Sequence, residues 1–202
     1  MRPLIFSGHA NTAYIVAFTI ALIIWYLPDR IGSFWLRSSR DPTARKEDRG
    51  SYFVLIGLIV LGWGVAFVCA SMWTGAAIPW LRPQVTIAGV VLILLGVALR
   101  WWAILTLGRY FTYDVAVRPS QAVVQSGPYR FVRHPAYSGT LLSILGLGLA
   151  LANWASLVAV LAGGVLGMLY RVRVEERALR DALGQPYADY MRRTKRFIPF
   201  VF

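Results

Sequence analysis

Apolar residues fall in five stretches, at about 12–27, 52–72, 85–107, 137–152 and 155–170, and almost every charge falls between them. A helix crossing ~30 Å of hydrocarbon needs about 20 such residues. The second and third stretches meet this length, whereas the first, fourth and fifth need their flanks. The first does not read as a cleaved leader, because no small-x-small site follows it before Pro28 and Asp29. Only Asn153 and Trp154 separate the last two, so they form an antiparallel helical hairpin.

Positive charge orients the stretches. Arg30, Arg37, Arg40, Arg45, Lys46 and Arg49 lie between the first two, and Arg109, Arg118, Arg130 and Arg133 follow the third. The tail carries eight more, from Arg171 to Arg196, and the opposite loops have only Arg2 and Arg82. All three basic segments share one side only if there are five spans, with the N-terminus outside and the C-terminus in the cytoplasm. Residues 73–80 then read as an aromatic anchor at the outer interface. The expected fold is an all-α integral membrane domain over 1–202, its hairpin followed by a cytoplasmic C-terminal helix.

Composition fits lipid as the solvent: 57% of residues are hydrophobic, 15% are charged, and mean hydropathy is +0.57. The net charge of +12 flanks the spans, so anionic lipid headgroups are the expected partner and nucleic acid is not. Cys69 is the single cysteine, and His9 and His134 are the two histidines. No disulfide or Cys/His zinc cluster can form, and no metal is expected. Cys69 reads as packing and His9 as carrying no role.

The hairpin brings distant polar segments together. Tyr137 lies about 17 residues before its turn and Arg171 about 17 after, which places both at one depth. His134 is then level with about Arg173, and Glu175 and Glu176 stand just above the membrane. Gly139, Ser143 and Gly146 supply a small-residue face to one helix, and Gly163 with Gly167 to the other, as close packing in lipid requires. Pro135 suits the first turn of the fourth helix, whose free N–H groups, with Arg133 and His134, form an anion site. With the glutamates opposite, a ligand bearing both a carboxylate and a cation fits. A blander account stands beside this one: Arg133 and His134 as orientation signals, and the glutamates as a solvated face through the i,i+4 pairs Arg171–Glu175 and Glu176–Arg180. Arg100, inside a span, either snorkels to the interface or marks a site.

These segments, in this order, resemble the isoprenylcysteine carboxyl methyltransferase family of membrane methyltransferases, relatives of the phospholipid N-methyltransferases. The resemblance runs over 99–202 and leaves 1–98 as generic spans. It is carried by Leu99-Arg100-Trp101-Trp102, Leu107-Gly108-Arg109-Tyr110-Phe111-Thr112, Gly127-Pro128-Tyr129 with Arg133-His134-Pro135-Ala136-Tyr137-Ser138-Gly139, Glu175-Glu176, and the tail to Pro199. It implies S-adenosylmethionine as methyl donor, bound at the cytoplasmic ends of the last two spans. Gly127, Pro128, Tyr129, Arg133, His134, Pro135, Tyr137 and Gly139 would line the cofactor pocket, with Glu175 and Glu176 holding its amino or ribose groups. A lipophilic acceptor would enter from the bilayer through a gap between helices. A carboxylate acceptor is already ionised at pH 7 and needs no base, only alignment and a cation. Arg171, beside Tyr137, is the expected cation; Arg100 and Arg173 come next, and Tyr187 and Tyr190 close the tail over the site. An amine acceptor would instead need Glu175 or His134 as base. Membrane sterol reductases, which use NADPH, share an Arg-His-Pro-x-Tyr-x-Gly segment and are the competing resemblance. Five spans and adjacent glutamates favour the methyltransferase.

Overall fold

The computed structural model describes residues 12–35, 45–78, 82–118 and 121–199. Arg2, His9, Arg37, Arg40 and Trp80 lie outside the described residues. Among the described residues six α-helices form: α1 (Thr12–Trp35), α2 (Ser51–Met72), α3 (Arg82–Leu107), α4 (Pro135–Ala150), α5 (Trp154–Leu183) and α6 (Gln185–Arg193). A two-residue ladder joins β1 (Arg45–Lys46) to β2 (Ala116–Val117), antiparallel. The protein is an integral membrane protein: four segments, Thr12–Gly32, Ser51–Met72, Pro83–Tyr110 and Trp154–Leu183, are helical, long and apolar enough to cross a bilayer. α4 is as apolar but has only 16 residues. Their outer faces carry exposed residues such as Ile20, Leu61, Leu95 and Leu166, which lipid covers.

Several boundaries differ from those read off the sequence. α1 does not stop at Leu27 but runs through Pro28 to Trp35. Proline is tolerated inside a bilayer helix where neighbours satisfy the freed groups. The extra turn carries Asp29 to Arg100 on α3, where its carboxylate accepts from Nε at 2.9 Å. α5 does not end at Tyr170 but continues to Leu183, about 45 Å in all. Gly184, at φ 59, then turns the chain into α6.

The small-residue faces hold the helices in pairs other than the expected one. Gly139, Ser143 and Gly146 of α4 pack on α3, not on α5. A Cβ on Gly139 would lie 2.5 Å from the Gly96 carbonyl oxygen, and one on Gly146 2.5 Å from that of Gly89. Gly163 and Gly167 of α5 pack on α2: a Cβ on Gly163 would lie 2.4 Å from the Leu58 oxygen. The reason is spacing. Gly89 and Gly96 repeat every seven residues, as do Gly139 and Gly146, so the two antiparallel helices meet backbone to backbone along one seam. Ser143 Oγ donates to the Ile93 carbonyl (3.1 Å) within it, and Ser156 Oγ to Ala66 (2.6 Å) across α2–α5. The hairpin itself closes on Gly148 against Leu157 and Gly164 against Ile144. Its turn is fixed by Asn153, whose side chain accepts from Ser156 N (3.0 Å) and donates to the Trp73 carbonyl (3.1 Å) at the end of α2. α1 leans on α3.

Candidate active site

The equal depth inferred from counting along the hairpin holds: Arg171 Nε donates to Tyr137 Oη at 3.1 Å. Arg171 is 2% exposed, and all three of its nitrogens are occupied. Nη1 pairs with Asp48 and donates to Ser51 Oγ (2.7 Å), and Nη2 donates to the Tyr113 carbonyl (2.6 Å). Asp48 also accepts from Ser51 Oγ and the N–H groups of Tyr52 and Val115. Arg171 thus ties α5 to the start of α2 and to the loop after α3. Arg100 is held differently. Nε meets Asp29, and Nη1 donates to Thr140 Oγ1 (3.2 Å) and the Ala136 carbonyl (3.4 Å). Nη2 has no partner among the described residues and is not sealed off.

The two glutamates separate. Glu176, 4% exposed, is enclosed by Arg133 Nε (3.0 Å), His134 Nε2 (3.3 Å) and Arg196 Nη2 (2.7 Å). It is therefore neither on a solvated face nor on the wall of the central cavity. Its bond to Arg196 holds that guanidinium above its ordinary pKa. Glu175 turns the other way, accepting from Tyr137 Oη (2.8 Å) on the cavity wall. At the expected anion site at the start of α4, Tyr137 N and Ser138 N both donate to the His134 carbonyl (3.0 Å), and just before it Arg133 N and His134 N donate to the Lys195 and Arg196 carbonyls (2.8 and 3.0 Å). The tail thus lies alongside 132–134, and Ser138 Oγ secures it at the Phe197 carbonyl (2.7 Å). Gly139 is in the α3 seam rather than at a pocket wall, and Arg173 is exposed. Gly127, at φ 54, sits where a Cβ would meet Thr106 Oγ1 at 2.9 Å, which fixes the turn that presents Pro128 and Tyr129.

A cavity of about 240 Å³ joins these groups. Its polar end is walled by Arg100, Tyr113, Tyr129, Arg133, His134, Tyr137, Arg171 and Glu175, with Tyr187 and Tyr190 of α6 above. Burial pushes the Tyr190 phenol up to about 12, and it donates to the Tyr129 carbonyl (2.6 Å). Burial raises Tyr129 and Tyr187 as well. Residues 121–124 line the wall, and the N–H groups of Ala122, Val123 and Val124 meet no acceptor among the described residues. The apolar end is walled by Trp25, Ile56, Ile59, Val60, Trp63 and Met168. The first half of the chain therefore builds the site too. Asp29, Asp48, Ser51 and Tyr113 were missed from sequence; an aspartate next to Pro28 within an apolar run was the one visible signal.

Residues 89–181 match the family model described as the isoprenylcysteine carboxyl methyltransferase (ICMT) family. Protein-S-isoprenylcysteine O-methyltransferase B of Arabidopsis thaliana is 35% identical over 115 residues, 56% of this chain and 58% of the relative. A probable protein-S-isoprenylcysteine O-methyltransferase of Oryza sativa subsp. indica is 32% identical over 121 residues, 58% and 62% of the two. The cobalt-zinc-cadmium resistance protein CzcN of Cupriavidus metallidurans is 36% identical over 144 residues, 67% and 60%. The chain thus spans about three-fifths of the length of these curated relatives. Among solved structures, the eukaryotic intramembrane Ras methyltransferase ICMT superposes with a TM-score of 0.61 at 26% identity, over 99% of this chain and 68% of that one.

Proposed function

We propose that the chain is a membrane methyltransferase of the isoprenylcysteine carboxyl methyltransferase family, as its family-model match, its curated relatives and the solved structure it resembles support. Its cofactor is S-adenosylmethionine, and it O-methylates the carboxylate of a prenylcysteine or similar lipophilic acceptor. One observation carries this reading: a single cavity joins a polar end, with an anion at Glu175 and an open guanidinium edge at Arg100, to an apolar slot. A methyl donor with charged groups and an acceptor with a carboxylate head and an apolar tail need that combination.

The residues present fit the cofactor. The Glu175 carboxylate suits its ammonium or ribose hydroxyls, and Arg133 Nη2, which has no partner among the described residues, suits its carboxylate. The N–H groups of 122–124, open on the wall, suit a planar base edge. Tyr129, Tyr137 and Tyr187 offer ring faces to a cation. When bound, S-adenosylmethionine supplies an electrophilic methyl group on a sulfonium. Arg100 orients the acceptor carboxylate through Nη2, being pinned by Asp29 and Thr140 on its other edges. Arg171 acts as a positioning residue, holding Tyr137 and, through it, Glu175. His134 lines the wall itself, Gly127, Pro128 and Pro135 stand off it and set the turns that present Tyr129 and His134, and α6 excludes water.

The five-span arrangement, with the N-terminus outside and the site at the cytoplasmic face, is part of the same proposal. Support comes from the α4–α5 turn, bonded at Asn153 to the far end of α2, so that α4 ends level with a full span. Transfer of labelled methyl from S-adenosylmethionine to N-acetyl-S-farnesylcysteine by the purified protein tests the function. Arg100→Gln is expected to raise the acceptor KM about 100-fold, and Glu175→Gln to raise the cofactor KM instead. Thermal stabilisation by NADPH and none by S-adenosylhomocysteine would overturn the reading.

A further inference from the structure

Most of the basic residues merely flank the spans, but one group is gathered on a surface recess of its own. α5 carries Arg173, Arg177 and Arg180 at i, i+4 and i+7, which sets them on one helix face, and all three are exposed. With Arg196 of the tail they line a recess of about 270 Å³, completed by Asp181 and the buried Glu176. Glu176 is already shared by Arg196, Arg133 and His134 (2.7, 3.0 and 3.3 Å), so it offers little charge to the stripe. Among the described residues the side chains of Arg173 and Arg177 bond to nothing, and Arg180 reaches only the Met191 sulfur at 3.6 Å. Like charges at this helical spacing repel. The stripe is left short of an anion.

Depth along α5 says which anion. Trp154, half exposed where the helix begins, marks one membrane interface. Arg173 lies about 29 Å along the helix from it and Arg180 about 39 Å. A bilayer has ~30 Å of hydrocarbon and about 40–45 Å with its headgroups. The three arginines therefore stand in the headgroup layer of the far leaflet, where phosphodiesters are the anions at hand. A guanidinium fork matches two phosphate oxygens. Ile198, just past Arg196, is 55% exposed and suits the acyl boundary beneath a lipid head, whereas a soluble anion gains nothing from it. A zwitterionic head would bring its own cation into the recess and lose much of the attraction.

We propose that this recess binds the phosphate head of an anionic phospholipid from the surrounding leaflet, and that the bound head steadies the tail against the cavity. Arg196 stands between the two sites. It lines the recess and holds Glu176, whose other partners, Arg133 and His134, are on the cavity wall. A head beside Arg196 keeps in place the tail backbone that accepts from Arg133 N, His134 N and Ser138 Oγ. The lipid site stands on the recess alone; its effect on the cofactor rests on the methyltransferase reading.

The test places the full chain in nanodiscs of phosphatidylcholine, alone or with phosphatidylglycerol, and measures retained lipid by native mass spectrometry. Arg173→Gln/Arg177→Gln is expected to lower phosphatidylglycerol retention about tenfold or more. Arg192→Gln/Arg193→Gln, which removes as much charge from α6, is expected to lower it less than about threefold. Equal losses in the two variants would make the recess part of a diffuse field and overturn the site. In the wild type, phosphatidylglycerol is expected to tighten S-adenosylhomocysteine binding about fivefold, an effect lost in Arg173→Gln/Arg177→Gln. The same affinity in both lipids would overturn the link to the cavity. Inorganic phosphate added to phosphatidylcholine discs at matched ionic strength is expected to change nothing. Tightening equal to that by phosphatidylglycerol would make soluble phosphate the ligand and overturn the lipid assignment. If S-adenosylhomocysteine does not bind at all, the functional reading fails by itself, and lipid retention in the two variants still decides the recess.

Discussion

Replacing Arg171 by methionine separates a residue that holds the fold from one that holds the acceptor. The volume is nearly kept, but the cation leaves a site where it is 2% exposed and bonded to Tyr137, Asp48, Ser51 and the Tyr113 carbonyl. Asp48 then keeps its bonds from Ser51 Oγ (3.1 Å), Tyr52 N (3.3 Å) and Val115 N (3.2 Å) without an opposing charge. Breaking one side of a buried pair costs about 3–5 kcal/mol, a large part of a total near 5–15 kcal/mol. For a chain of this size the melting temperature should fall by about 6–20 °C. Asp48→Asn added to Arg171→Met should recover about 1–3 kcal/mol, because the stranded carboxylate is gone. Thermal unfolding in detergent, followed by tryptophan fluorescence, reads both. A variant melting within about 2 °C of wild type, with acceptor KM raised and cofactor binding kept, would refute this and return the acceptor role to Arg171.

The helix seam predicts opposite signs for two glycines. Gly139→Ala places a Cβ 2.5 Å from the Gly96 oxygen and 2.7 Å from Arg100 N, so α3 and α4 must part, at a cost of about 1–3 kcal/mol. Gly57→Ala meets nothing within 4 Å and should stabilise α2 by about 0.5–1 kcal/mol. Melting temperatures moving the same way in both would count against the packing. The tail also predicts a pH response. Burial raises the phenols of Tyr113, Tyr129, Tyr187 and Tyr190, the last to about 12, so the fold favours their neutral forms. That stability is complete below about pH 10, the unfolded value, and is lost as pH rises from there through the folded values. Unfolding midpoints should be level from about pH 7 to 9 and fall above about 10, less steeply in Tyr190→Phe; an equal slope in that variant would remove Tyr190 from the account.

Much of the fold was legible because lipid imposes a coarse rule: spans are apolar and charges stand between them. The hairpin count needed only helical rise, and it placed Tyr137 beside Arg171 correctly. Which small-residue face meets which neighbour was not legible. Gly139, Gly146, Gly163 and Gly167 were visible as faces, but a face does not name its partner. Pairing α3 with α4 depended on a seven-residue repeat in two separate helices, and adjacency in sequence pointed to the wrong one. The ends of α1 and α5 were misplaced for a related reason. A charge or proline ends a hydropathy run but not a helix whose polar groups find partners, as Asp29 does at Arg100.

The site divides along the same line. Residues 99–202 carried motifs, so Arg100, Tyr137, Arg171 and Glu175 could be named in advance. Their roles could not, because a role depends on which nitrogen or oxygen remains free. Arg171 and Arg100 look alike in sequence, arginines in or beside an apolar span. They differ in what residues 1–98 bring to them: Asp48 and Ser51 complete Arg171, whereas Asp29 takes Nε of Arg100 and leaves Nη2 open. The half that reads as generic spans thus decides which guanidinium faces the cavity. It also supplies most of the apolar wall, so a substitution at Asp29 should act on the acceptor through Arg100 while touching neither ligand.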